Sequence, residues 1–308
     1  MTHYNVLSMD GGGIRGILTA RILERIDEVL PGFLRHVELY AGTSTGGLLA
    51  LGLASGKTPR EMRELYQKFA NCVFADSFID QLKDLGNLVG AEYDVEPLKE
   101  VLQEYFPGVT LADLPKKVLV STFKLDNEGK RPDGVRVWKM KFFHNYPGPD
   151  SDGEQLVVDV GVRTSVAPAY FPVYQGYIDG GVSASNPAMC ALAQALDKVA
   201  GRQNVRDVAL FSMGTGYNRH FLPVQNSDWG LAQWAPHLIN IMLEGDQDVV
   251  DFQCRQVLDD HYLRINPLLP REIGLGSIKY IPELLETADK ADLSAPIAWV
   301  KKYYLENE

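Results

Sequence analysis

Three features rich in glycine have the residue types and spacing to do acyl chemistry: Ser44, Asp179, and the loop that starts at Asp10. Ser44 stands in Gly42-Thr43-Ser44-Thr45-Gly46, a Gly-x-Ser-x-Gly pattern. The apolar run His36–Ala41 before it reads as a buried strand, and Leu48–Ala54 after it reads as a helix. A serine on a strand-to-helix turn this tight needs very small neighbours, here Gly42 and Gly46, and its hydroxyl is held clear of the sheet. The start of the next helix places partial positive charge beside the oxygen. An ordinary glycine-rich turn carries the same pattern, so Ser44 has to be read together with the other two groups.

A nucleophilic serine also needs donors for the developing oxyanion. Asp10-Gly11-Gly12-Gly13-Ile14-Arg15-Gly16 follows the apolar strand Val6–Met9 and opens a helix from Ile17 to about Leu30. Consecutive glycines at such a junction let several N–H groups point at one spot, with the helix dipole behind them. On this reading Gly11, Gly12 and Gly13 bind the oxyanion, and Arg15 adds charge or anchors the loop. The same residues match G-x-G-x-x-G, and Glu38 lies near where a ribose-binding acid would fall, so dinucleotide binding is the alternative use. Against it, Glu38 precedes Leu39-Tyr40-Ala41 in the strand instead of marking the strand's end. Gly56-Lys57-Thr58 fails as a phosphate loop because Leu51 occupies the first glycine position.

The third requirement is a base. Asp179 closes an apolar run and is followed by Gly180-Gly181, which leave its carboxylate uncrowded. An unperturbed aspartate, with a pKa near ~3.9, is a poor base toward an alcohol, but burial would raise it. A Ser–Asp–His triad is the competing arrangement, and His220, His237 and His261 all follow Asp179 in the required order. None of the three has a distinctive local context.

These residues need an α/β scaffold. The chain alternates strand-like runs at Lys117–Phe123, Val135–Phe142, Leu156–Val160, Val173–Ile178, Asp207–Met213 and Tyr262–Ile265 with helical segments. The helices are read at Pro59 onward, Glu96–Phe106, Pro187–Ala200, Trp229–Leu243 and Ser294–Tyr304, while Phe74–Gly90 is irregular and apolar in patches. With no repeat or linker in 308 residues, and site elements spread from Asp10 to Asp179, one domain over 1–308 is expected. A net charge of −10 argues against nucleic acid as a partner. No run reaches the roughly 20 apolar residues of a spanning helix, the N-terminus lacks the build of a signal peptide, and the three cysteines are sparse and without metal-ligand spacing. A cytoplasmic protein without a metal or cofactor is expected. Trp229, Leu231, Trp234, Leu238, Ile239, Met242 and Leu243 form either a channel wall, an interfacial helix or plain core.

Taken together, Asp10–Gly16, Gly42–Gly47 and Asp179-Gly180-Gly181 resemble the patatin-like phospholipase family. Ser165–Pro172, Asn186-Pro187-Ala188, Gly214-Thr215-Gly216 and Tyr262–Pro267 are similar as well. The resemblance covers roughly residues 5–216, with 217–308 expected as helices and an edge strand packed on that core. It departs at Ser185, where the family commonly has asparagine. It implies a three-layer α/β/α fold with a central, mostly parallel sheet and calcium-independent hydrolysis of lipid acyl esters. It also implies a Ser44 nucleophile with Asp179 as base, and an oxyanion hole at Gly11, Gly12 and Gly13 supported by Arg15. Partners would be a lipid or other acyl ester, and a transient peripheral contact with membrane.

Overall fold

Strands β1 (Tyr4–Met9), β2 (Leu39–Thr43) and β3 (Lys117–Lys124) lie side by side and parallel, and β6 (Val208–Met213) and β7 (Tyr262–Ile265) extend the parallel set beyond β1. In this computed structural model, which describes residues 3–73, 90–130, 132–222 and 228–306, the order is β4-β3-β2-β1-β6-β7, with β4 (Lys139–His144) antiparallel at one edge. β7 forms the other edge, where Tyr262–Ile265 was expected. A short β5 (Tyr177–Asp179) also pairs antiparallel with β3.

Alternation along the strands builds two cores, one on each face of the sheet. Leu7, Met9, Tyr40, Val118, Val120, Ala209, Phe211 and Met213 face the larger cluster. Helices α1 (Gly16–Val29), α2 (Thr45–Ala54), α3 (Pro59–Val73), α4 (Glu96–Tyr105) and α5 (Val157–Ser165) cover it, with α8 (Ile281–Lys290) and α9 (Ser294–Val300). Val6, Leu39, Ala41, Leu119, Val208 and Leu210 face the other cluster, under α6 (Ala188–Leu196) and α7 (Leu231–Leu258). This is a three-layer α/β/α fold around a mostly parallel sheet. Such sheets need both faces covered, so their strands read as nearly continuous apolar runs.

Several segments differ from the sequence reading. The run Leu156–Val160 looks like a strand because it is β-branched, yet it opens α5. Val157, Val160 and Thr164 recur at helical spacing and are fully buried, and Gly161 lets Leu48, Leu51 and Leu102 close over the helix. Val173–Ile178 is interrupted by a tight turn with positive φ at Gln175 and Gly176, which leaves only Tyr177–Asp179 as strand. In Val135–Phe142 the strand starts at Lys139; Val135 and Trp138 are exposed. The expected helix Trp229–Leu243 runs on to Leu258. Of Phe74–Gly90, all but Gly90 lie outside the described residues.

Candidate active site

Ser44 separates β2 from α2 with no intervening loop, since α2 begins at Thr45 and not, as the sequence suggested, near Leu48. Gly46 and Gly47, weak helix formers, disguise that first turn. They are there because the backbones nearly touch: a Cβ on Gly42 would lie 2.0 Å from the Gly46 carbonyl, and one on Gly46 would lie 2.1 Å from that of Met9. The turn forces Ser44 to φ 54°, ψ −123°, a region that costs a non-glycine residue about 1–3 kcal/mol and persists only where the surroundings impose it. Ser44 N–H donates to Thr164 Oγ1 (2.8 Å), and Thr164 Oγ1 in turn donates to the Ser121 carbonyl (2.7 Å). Sequence reasoning assigned Thr164 no role; a threonine late in a helix gives no signal of its own.

Asp179 reaches Ser44 through the sheet. β2 pairs with the first part of β3, ending at Thr43 opposite Ser121, and β5 pairs with the next part, with Asp179 opposite Thr122. β2 and β5 therefore share one lane beside β3 and run toward each other, so the residue after one strand meets the last residue of the other. The Asp179 carboxyl lies beside the Ser44 side chain, near enough for that hydroxyl to lower its pKa, and its Oδ1 accepts the Gly181 N–H at 2.7 Å. Burial pushes the Asp179 pKa up to about 6, against the opposing pull of the Ser44 hydroxyl and the Gly181 N–H. Gly180 is required here because a Cβ would stand 2.4 Å from the Ser121 carbonyl.

The glycine loop lies on the other side of Ser44, and a Cβ on Gly11 would lie 3.5 Å from that of Ser44. Most of its amides are occupied. Asp10 N–H donates to Met213 O, Gly11 N–H to Ser185 O, Ile14 N–H to Leu275 O and Arg15 N–H to Gly12 O. Only the amides of Gly12 and Gly13 donate to no group among the described residues, so the expectation of three donors narrows to two. Arg15 Nε donates to the Gly12 carbonyl at 3.3 Å, which props the loop. Beneath it, Asp10 is fully buried and held by the two terminal guanidinium nitrogens of Arg264, at 3.2 and 2.5 Å. Arg264 also donates to Ser212 Oγ (2.8 Å). Ser185, the departure from the family pattern, contributes its carbonyl, which any residue supplies, while its Oγ accepts from Gln247 of α7 (3.0 Å).

Ser44 opens into a largely apolar cavity lined by Gly13, Ile14, Thr45, Leu48, Tyr66, Phe69, Leu98, Ser165 and Phe171. No histidine lines it among the described residues. His220 Nδ1 bonds Glu244 (2.9 Å), His237 stacks on Trp229, and His261 packs against Tyr303 and His3. The triad alternative thus has no imidazole in place. The dinucleotide alternative fails as well: Glu38 sits before the first residue of β2, at the end away from the glycine loop, and its carboxylate accepts the Asn5 N–H (2.7 Å).

The apolar segment at Trp229–Leu243 is not plain core. Trp234, Leu238 and Met242 are exposed, while Leu243 turns inward, its Cδ2 3.6 Å from where a Cβ on Gly181 would be. The side chains of Leu231 and Ile239 lie outside the described residues.

The chain is 31% identical over 272 residues to a cGAMP-activated phospholipase of Pseudomonas aeruginosa, covering 85% of this chain and 78% of that protein. It is 26% identical to patatin-like protein 2 of Arabidopsis thaliana, covering 96% and 84%. Among solved structures, VipD from Legionella pneumophila superposes with a TM-score of 0.42 at 14% identity, over 94% of this chain and 67% of that one. The family model described as patatin-like phospholipase matches residues 7–192. The chain belongs to the patatin-like phospholipase family.

Proposed function

We propose that this lipid acyl hydrolase cleaves its ester through a Ser44–Asp179 dyad and a covalent acyl-enzyme. The observation that carries the reading is the lane that β2 and β5 share beside β3, which sets the Ser44 side chain beside a buried carboxyl whose pKa is raised to about 6. An aspartate of ordinary pKa takes a proton from an alcohol poorly; raising it toward the working pH improves it as a general base. As Ser44 Oγ attacks the acyl carbon, Asp179 takes its proton. The negative charge passes to the carbonyl oxygen, where the Gly12 and Gly13 N–H groups and the helix starts receive it. Collapse of the tetrahedral intermediate breaks the ester bond, and Asp179 returns the proton to the departing alcohol. Water then hydrolyses the acyl-Ser44 ester.

The apolar cavity suits an acyl chain, and the printed names of the relatives support phospholipids as the substrate class. Access would come from a membrane surface, through the exposed apolar side chains of α7 that lie behind Leu243. The test is a phospholipid mixture incubated with the parent protein and with Ser44→Ala, the fatty acids and lysolipids being measured by mass spectrometry. Release that depends on Ser44 is expected; equal release by the two proteins would remove the reading.

A further inference from the structure

The chemistry above needs Ser44 Oγ and the Asp179 carboxyl held together, yet neither strand that delivers them continues past the site. β2 ends at Thr43, paired with Ser121, and the turn then sets Ser44 at φ 54°. β5 is three residues long and ends at Asp179 itself. One segment at the end of α5 takes hold of both. Thr164 Oγ1 accepts the Ser44 N–H at 2.8 Å and donates to the Ser121 carbonyl at 2.7 Å, so it bridges β2 and β3 where their pairing stops. Two residues on, the Val166 carbonyl accepts the Asp179 N–H at 3.0 Å. Thr164 is fully buried and uses both branches of its side chain. While the hydroxyl makes its two bonds, the methyl packs on α2 at Gly47, where a Cβ would stand 2.9 Å from Thr164 Cγ2. Contacts of opposite kind on one β-branched carbon fix its χ1.

We infer that Thr164 is a positioning residue for the reaction: its hydroxyl holds the Ser44 backbone in the strained turn and so keeps the nucleophile within reach of Asp179. The inference rests on the Ser44–Asp179 mechanism. A backbone conformation as unfavourable as that of Ser44 persists only where its surroundings impose it, and Thr164 supplies the partner of the Ser44 amide. Valine at this position would keep the shape and the methyl contact. It would leave the Ser44 N–H without an acceptor and the Ser121 carbonyl without this donor. The turn would then relax and Ser44 Oγ would shift, and a misplacement of about 1 Å at a reacting atom costs about 10²-fold in rate. Burial, the Ser44 hydroxyl and the Gly181 N–H set the Asp179 pKa. Withdrawing the hydroxyl removes one of the two groups that hold that pKa down, so the base would titrate at higher pH.

The experiment is stopped-flow hydrolysis of a p-nitrophenyl acyl ester by the full chain over a range of pH, with thermal unfolding measured alongside. In Thr164→Val the acylation rate constant, read from the burst of p-nitrophenol, should fall about 10–100-fold. The ester concentration that half-saturates the burst should change by less than about threefold, since Thr164 is not among the residues lining the cavity. The acid limb of the rate should move to higher pH than the parent's, which lies at about 6. Thr164→Ser keeps the hydroxyl and loses the methyl; it should recover most of the rate and the parent's acid limb, although it too loses stability. Rates that follow the thermal midpoint across the variants, with an unmoved acid limb, would make Thr164 a packing residue and overturn the inference. An unchanged rate in Thr164→Val would overturn it too. Thr164→Ala stands in if the valine variant does not fold, and failure of both to fold would assign the hydroxyl to folding and end the inference. A burst that survives in Ser44→Ala would instead sink the dyad mechanism.

Discussion

Asp179 is where catalysis and stability pull in opposite directions. Its folded pKa, about 6, lies above the ordinary 3.8, so between those values the folded chain binds more proton than the unfolded one. Stability therefore falls as pH rises through this window, and the full cost, up to about 3 kcal/mol, is present above about pH 6. Catalysis needs the opposite form, the ionised base. Two outcomes follow from one substitution, Asp179→Asn, and a third from the parent itself. Hydrolysis should drop by about 10²–10⁴-fold. In urea unfolding the variant should be more stable than the parent at pH 8, and the difference should shrink toward zero near pH 4. The parent's own kcat/KM should fall as pH is lowered through about 6. His220→Ala, His237→Ala and His261→Ala, once shown to be folded, should stay within a few-fold of the parent, since none lines the cavity at Ser44. A folded but inactive member of that set would replace the dyad with a triad.

At the scale of elements, the site is a junction of strand ends, and this is where the sequence was least legible. The three glycine-marked motifs announced themselves by composition, because close backbone approach tolerates nothing larger. Their mutual placement did not. β5 has three residues, too few for periodicity, and only its pairing with β3 beyond the end of β2 shows why Asp179 faces Ser44. α5 was misread because β-branched residues favour strands until tertiary packing overrides them. The Asp10–Arg264 pair joins residues more than 250 positions apart, and no local pattern could connect them. That pair ties the end of β1, and so the glycine loop, to β7. Arg264→Met should leave the Asp10 carboxylate buried without its partner and cost about 3–5 kcal/mol. Adding Asp10→Asn to that variant should recover much of the loss, because a neutral amide replaces the stranded charge. Urea unfolding of the two variants checks this; a loss below about 1 kcal/mol in the single variant would show that the loop does not depend on the pair.

Across the whole molecule, α7 turns two different faces to its surroundings. Leu243, Gln247, Val250, Cys254 and Leu258 face inward over the Asp179 and Ser185 loops and the sheet. At 3.6 residues per turn, Trp234, Leu238, Ile241, Met242, Val249 and Phe252 fall within an arc of about 100° on the opposite side, and all six are exposed. From Trp234 to Phe252 this stripe is roughly 27 Å long. No helix among the described residues is long and apolar enough to cross a membrane. In a chain of net charge −10, this stripe would bind lipid through its apolar side chains entering the interface. Binding to phosphatidylcholine vesicles should therefore persist at 0.5 M salt, where charge attraction is screened over a few ångströms. Met242→Ser with Phe252→Ser should weaken that binding by about tenfold or more, at about 25 cal/mol per Å² of apolar surface withdrawn from lipid. Both residues point away from the core, so the thermal midpoint should move little, and turnover of a monomeric p-nitrophenyl ester should stay close to the parent's. Loss of vesicle hydrolysis with monomer hydrolysis intact would place the membrane contact on α7. Unchanged vesicle binding in the folded double variant would take it elsewhere.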